Sequence, residues 1–306
     1  MTRRNQKIVP NLWFDDQAEE AVRLYTSLFP GARTGRVTRY PAVGQEIHGR
    51  PAASVMTVDF ELAGLRMTAL NGGPHFRFTP AISLFLTVET AAEVDHIWSV
   101  LAEGGTALMP LDAYDWSRRY GWIQDRFGLT WQVAQGRVEE AGAQVVAMLM
   151  FVTDRPVAQA AMERYAEIFD DASVDANMPF PPGVQGGLDG GVMHGRFRLA
   201  GQQFLAMDAS AKMHGFGFNE AVSLLVDCDS QAEIDRYWEA LGADGDPQAQ
   251  QCGWLKDAFG VSWQVHPNEL NEMLTDPDTA RVERVTDAFL QMKKFDLAAL
   301  RSAYEG

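Results

Sequence analysis

The chain has 306 residues, 46% of them apolar and 22% charged, which is the composition of a folded protein with material for two cores and excludes a disordered chain. Its 41 acidic against 26 basic residues leave a formal charge of −15, which argues against nucleic-acid or anionic-membrane partners. Two cysteines, Cys228 and Cys252, are too few for a disulfide scaffold, and no apolar run approaches the ~18 residues of a membrane span, so a soluble, cytoplasmic protein is expected.

Residues 8–14 read as a strand, and Asp15 and Asp16 are placed to cap a helix over 17–29 with the apolar stripe Ala18, Ala21, Val22, Tyr25, Leu28 and Phe29. Pro30-Gly31 stops it. Strands follow near 35–40, 53–62 and 65–70. In the second of these Val55, Thr57, Asp59 and Glu61 lie opposite Met56, Val58, Phe60 and Leu62, so one face is wet. Ala63-Gly64 fits a hairpin. The order then repeats: a strand over 81–88, a helix over 90–103 with Thr90 and Glu93 as a capping box, and strands near 106–111, 119–124 and 129–134. The second half follows suit, with strand 145–152, helix 156–169, strands to 207, strand 221–228, helix 230–241 and strands ending at 265. Residues 268–306 read as helical from Asp276-Pro277-Asp278 onward and are expected to pack on a domain or subunit interface.

The second half repeats residue types as well as element order. YGWIQDRFGLTWQV at 120–133 returns as CGWLKDAFGVSWQV at 252–265. Gly121, Trp122, Asp125, Phe127, Gly128, Trp131, Gln132 and Val133 reappear as Gly253, Trp254, Asp257, Phe259, Gly260, Trp263, Gln264 and Val265. Upstream, FTPAISLFL matches FNEAVSLLV, AAEVDHIW matches QAEIDRYW, and LAGLRMTALN matches LAGQQFLAMD. These echoes describe a domain duplication rather than a short-period solenoid. The expected organisation is α+β, with domains at 5–137 and 143–267, each of two βαβββ modules, and a helical tail at 268–306. Polar-faced strands with helices between them predict curved mixed sheets packed by helices on the convex side.

No pattern for metal or covalent chemistry stands out. The histidines, His48, His75, His96, His194, His214 and His266, show no H-x-x-x-H spacing, and there is no CxxC, Walker loop or G-x-S-x-G elbow. The glycine-rich run at 183–191 reads as a β-hairpin insert. His75 and His214 precede equivalent strands close to a turn and are candidates to touch a pocket. By period 2, Gln132 faces the concave side if Trp131 faces the helices, and Gln264 does likewise beside Trp263. Asn11, Trp13, Asn71 and Ser83 can join Gln132, and Trp122, Asp208, Ser223 and Trp254 complete the candidate set. Polar and aromatic residues in this mixture suit a small organic ligand. The competing reading makes the tryptophans core residues and the glutamines half-solvated.

The strings KIVPNLWFDDQAEEAVRLYTSLFPGARTGRVTRY, VMTVDFELAG, TALNGGPHFRFTPAIS, the two GW…D.FG..WQV segments and LTDPDTARVERVTDAFLQMKKFDLAAL resemble the PhnB-like branch of the vicinal oxygen chelate superfamily. That superfamily includes glyoxalase I, bleomycin-resistance proteins and extradiol dioxygenases, and this branch carries the label 3-demethylubiquinone-9 3-methyltransferase-like. The resemblance implies a glyoxalase/bleomycin-resistance fold whose paired modules curl each half into a cup. Metal ligands of such relatives would fall near Asn11, Asn71, Ser83 and Gln132, and near Met148, Asp208, Ser223 and Gln264. Amides and a methionine replace the expected histidine and glutamate, so no metal and no cofactor are expected, and no strand–GxGxG–helix segment supports methyl transfer. The leading expectation is metal-independent binding of a small organic molecule. The alternatives are an enzyme of unknown reaction using His75, Asn71 or Asp208, and a structural protein with filled cups. The halves are expected to pack as a pseudo-dimer, with a homodimer open to them. Met148 and Met150, standing where the first half has Asn11 and Trp13, predict a more apolar or more filled second cup.

Overall fold

The computed structural model describes residues 6–184 and 187–306. Residue 5, where the first domain was expected to begin, and residues 185 and 186 of the glycine-rich run lie outside the described residues. The first module contains β1 (Ile8–Phe14), α1 (Ala18–Ser27), β2 (Arg33–Arg39), the short α2 (Gln45–His48), β3 (Val55–Leu62) and β4 (Leu65–Asn71). The second contains β5 (Ile82–Val88), α3 (Ala91–Ala102), β6 (Thr106–Tyr114), β7 (Ser117–Gln124) and β8 (Thr130–Gln135), followed by α4 (Val138–Ala141) at the join. The third contains β9 (Val145–Thr153), α5 (Ala158–Ile168), β10 (Ser173–Pro179), β11 (Val192–Leu199) and β12 (Gln202–Ser210). The fourth contains β13 (Val222–Cys228), α6 (Gln231–Gly242), β14 (Asp246–Gln251), β15 (Trp254–Lys256) and β16 (Ser262–Pro267). The tail forms α7 (Asn268–Met273), α8 (Thr279–Leu290) and α9 (Leu297–Glu305).

Two eight-stranded mixed sheets result, and they join the modules crosswise. One runs β14-β15-β16-β13-β1-β4-β3-β2, and the other β10-β11-β12-β9-β5-β8-β7-β6. The seam of the first is the antiparallel pair β1–β13, with Asn11 opposite Ser223; that of the second is β5–β9, with Ser83 opposite Met148. The expected cup within each half is therefore corrected, because each cup combines one module from either half. Within every module the first and last strands run parallel, as a helical crossover between them requires.

What ties the two modules of a half together is the repeated motif. Trp131 is fully buried, and its Nε1 donates to Asp125 Oδ2 at 2.8 Å. The same oxygen accepts the Tyr25 hydroxyl from α1 at 2.7 Å. Asp125 Oδ1 accepts the backbone N–H groups of Phe127 and Leu129 at 2.9 and 3.1 Å, closing the turn that Gly128 makes with φ +94°. Burial pushes the Asp125 carboxyl above its ordinary range against the pull of these donors. The second half repeats the staple, with Tyr165 and Trp263 donating to Asp257 Oδ2 at 2.7 and 2.8 Å. Each staple spans the two sheets, because Tyr25 and Asp125, like Tyr165 and Asp257, belong to modules of different sheets. The recurrent Trp-Gln pair thus divides its labour by strand alternation, Trp toward the helices and Gln toward the hollow.

Helix ends follow local chemistry. Thr90 and Glu93 form the expected capping box on α3, with Thr90 Oγ1 accepting the Glu93 N–H at 3.2 Å and Glu93 Oε2 accepting the Thr90 N–H at 3.0 Å. Asp15 and Asp16 do not cap α1; Asn71 Oδ1, arriving from the end of β4, accepts the Ala18 N–H at 2.8 Å instead. Ala63 and Gly64 join β3 to β4 with φ +46° and +91°, the left-handed pair that a two-residue hairpin of primed type needs. The tail lies against the first sheet: the N–H groups of Cys252 and Gly253 donate to Met292 and Lys293 carbonyls at 2.8 and 2.7 Å, and the Leu297 N–H donates to Gln231 Oε1 at 2.8 Å.

Candidate functional site

The first sheet curves around a cavity of about 700 Å³. Alternation selects its lining. On β4, Leu65, Met67, Ala69 and Asn71 are buried on the helix-facing side, while Arg66, Thr68 and Leu70 face the hollow. A polar row crosses the floor through paired strands: Asp59 opposite Thr68, Thr68 beside Asn11, Asn11 opposite Ser223. Thr68 Oγ1 donates to Asp59 Oδ1 at 2.8 Å, and Asn11 Nδ2 lies 3.5 Å from Ser223 Oγ. Gln264 Nε2 donates to Ser223 Oγ at 2.8 Å. Trp254, Phe289 and Phe295 supply aromatic walls, the last two from the tail. Trp13 shares the face of Asn11; its Nε1 donates to the Gly73 carbonyl at 2.7 Å, and its ring meets Trp254 edge-on at 6.1 Å.

Ion pairs ring the floor. Arg66 pairs with Asp227 at 2.9 Å and Arg33 with Glu61 at 2.5 Å. Burial, opposed by Arg66, holds the Asp227 carboxyl above its usual range. His266 lies beside Asp227 across β13–β16; burial, reinforced by the charge of Arg36, lowers its imidazole to about 4, so it is neutral at physiological pH. Its Nδ1 is buried without a hydrogen-bond partner.

The second sheet repeats the floor with different chemistry. Gln132 Nε2 donates to Ser83 Oγ at 2.9 Å, the counterpart of Gln264 and Ser223. Where the first cup sets Asn11 beside Thr68, the second sets Met148 beside Leu205. Those two pack with Val146 into a buried apolar cluster that Phe85, Ala143 and Met207 extend. Tyr120 donates its hydroxyl to Gln132 Oε1 at 2.7 Å, and burial pushes that hydroxyl well above its usual range, a direction that keeps it protonated. Cys252 stands at the corresponding place in the sequence of the first cup, lines the cavity, and brings no phenol hydroxyl to Gln264.

The candidate residues are thus redistributed. Asn11, Trp13, Ser223, Trp254 and Gln264 gather in the first cup, and Ser83, Trp122 and Gln132 in the second, so Asn11 and Gln132 do not meet. The exchange of modules is the reason. Asn71 and Asp208 lie on the opposite side of their strands: Asn71 holds the start of α1 and donates to Glu19 at 2.9 Å, and Asp208 accepts the N–H groups of Val157, Ala158 and Val192 at 2.8, 3.0 and 2.8 Å. His75 is exposed on the loop after β4, and His214 packs against Phe216 after β12. Asp59, Thr68, Arg66, Asp227 and His266 lie in the first cup outside the set of sequence candidates; the alternation of Asp59 with buried Val58 and Phe60 is the signal that places it on the wet face.

Where the fold would seat a metal, the first cup presents Asn11, Thr68, Ser223 and Gln264, and the second Met148, Leu205, Ser83 and Gln132. These are neutral amides, hydroxyls, a thioether and a hydrocarbon, which do not fit tight divalent-ion binding. Among the described residues no group of three His, Cys, Asp or Glu is disposed to hold an ion.

A family model described as 3-demethylubiquinone-9 3-methyltransferase matches the chain twice, at residues 6–134 and 143–266. The chain belongs to that family. Both matches together span the four modules, so the duplication is a duplication of the family unit. A PhnB protein of the same description from Bacillus cereus is 36% identical over 43% of this chain and 100% of its own, with a TM-score of 0.40. A Pseudomonas aeruginosa protein is 26% identical over 43% of this chain and 98% of its own, with a TM-score of 0.36. Glyoxalase I from Zea mays aligns over 84% of this chain and 90% of its own with a TM-score of 0.52 and 9% identity, a likeness of fold alone. No curated protein matches the chain. Within the family fold, no helix among the described residues is long and apolar enough to cross a membrane.

Proposed function

We propose that the protein binds a small organic molecule in the first cup without a metal ion, and that the second cup is a packed structural counterpart. The observation that carries this reading is the paired substitution between cups. Asn11, Thr68 and Cys252 line about 700 Å³ of space, where Met148, Leu205 and Tyr120 occupy the equivalent positions of the other cup. A hollow of that size is ample for a drug-sized molecule, and its mixture of aromatic walls and fixed polar groups suits orientation by stacking and hydrogen bonds. The domain limits 5–137 and 143–267 fit this reading as units of sequence, with the cups as units of packing. A methyl-transfer reaction finds no support in the neutral floor of either cup, and the family description is not carried over as an activity.

Native mass spectrometry of freshly purified protein, with metal analysis of the same sample, tests the proposal. The expected result is an organic adduct in substoichiometric to equimolar amount and no stoichiometric metal. An ion at one per chain, lost to chelator together with the adduct, would overturn it.

A further inference from the structure

Resting on that binding site, we infer that its ligand carries a protonated amine, held by Asp59 on the floor of the first cup. Two of the three lining cations are already engaged, Arg66 with Asp227 and Arg33 with Glu61, and Arg36 is the one that is not, among the described residues. Among the described residues the Asp59 carboxylate has one hydrogen bond, from the Thr68 hydroxyl to Oδ1, and no cation pairs with it. A half-buried carboxylate facing a hollow in this state lacks the partner that such groups normally have.

The neighbouring groups with unused capacity point the same way, because they are acceptors. Gln264 spends its Nε2 on Ser223, which turns Oε1 outward, and Cys252 removes the hydroxyl donor that Tyr120 gives to Gln132 in the other cup. Two acceptors on one floor, Asp59 and Gln264 Oε1, call for a ligand that brings donors. Trp254, Phe289 and Phe295 line the same space and offer ring faces, which favour a cation over an anion. An anionic ligand would meet Asp59, Asp227 and Asp229 with Arg36 as the only lining cation outside an ion pair among the described residues. The formal charge of −15 adds a long-range bias toward cations approaching the mouth.

The test uses three probes of similar shape on the full chain at fixed ionic strength: phenethylammonium, 2-phenylethanol and 3-phenylpropionate. Calorimetry on the unaltered protein is expected to rank phenethylammonium first and phenylpropionate last. In Asp59→Asn, which keeps shape and an oxygen for Thr68, phenethylammonium is expected to weaken at least tenfold and 2-phenylethanol less than twofold. Undiminished binding of phenethylammonium to Asp59→Asn would overturn the assignment, as would tighter binding of phenylpropionate to the unaltered protein. The ranking on the unaltered protein decides the matter even if the variant does not fold. Binding of the alcohol or the acid without the ammonium leaves the cavity reading standing and refutes the amine; no binding by any of the three refutes both.

Discussion

Replacing Tyr25 by Phe removes one hydroxyl and leaves the ring, which is fully buried against Trp131 at 4.9 Å between centroids. The packing is therefore retained, and the change isolates the 2.7 Å hydrogen bond to Asp125 Oδ2. A hydrogen bond to a charged acceptor contributes about 1.5–3 kcal/mol, and here the acceptor cannot turn to water, because Asp125 is 4% exposed. The expected loss is thus about 2 kcal/mol at pH 7, read as a lower urea midpoint at unchanged slope. The loss also depends on pH. Burial raises the folded-state value of Asp125 above its unfolded one, so the ionised group is the disfavoured form in the fold, and its share of stability is greatest at low pH and lost as pH rises through the folded value. Without Tyr25 the ionised carboxylate has one donor fewer, so the deficit must shrink toward ~1 kcal/mol as pH falls below that value. Tyr165→Phe offers an independent replicate, since its bond to Asp257 has the same length. A deficit below about 0.5 kcal/mol, or one equal at both pH values, would refute the staple as the link between modules.

Thr90→Ala deletes one half of the capping box on α3 and is expected to lower stability by about 1 kcal/mol in urea unfolding; no change would contradict that role. His266, lowered to about 4, contributes stability that is present above the unfolded value of about 6.5 and lost as pH falls toward 4, on the order of 3 kcal/mol. His266→Gln should therefore remove that part of the acid sensitivity between pH 7 and 4.5, and an unchanged difference between the two pH values would speak against it. Burial pushes the Cys228 thiol up to about 12 and raises that of Cys252, so thiol titration with a disulfide reagent at pH 8 should be slow until urea unfolds the chain. Rapid labelling of native Cys228 would contradict its burial.

Modules were legible because each carries its own punctuation. Pro30-Gly31, Ala63-Gly64, the Thr90 capping box and the GW…D.FG..WQV strings mark ends and turns by local chemistry that the fold retains. The pairing of modules was not legible. β1, β5, β9 and β13 all read as short apolar runs, and nothing in such a run states which other edge it will join. The exchange then moved Asn11 away from Gln132 and toward Gln264. Asn71 and Asp208 were misplaced for a different reason: their types suggested a pocket, whereas their phase with Met67 and Ala206 put them under the helices. Alternation counted from the buried neighbours would have found this, and would have promoted Thr68 and Asp59. The contribution of Phe289 and Phe295 to the cavity depends on where the tail docks, which no local pattern encodes.

The most direct test of the account is a crystallographic soak of the protein with a library of small amines, alcohols and acids. Bound molecules are expected between Asn11, Trp254 and Gln264, with the amines against Asp59 and none within the cluster of Met148, Val146 and Leu205. Molecules seated only in the second cup, or an ion coordinated by Asn11 and Gln264, would contradict it.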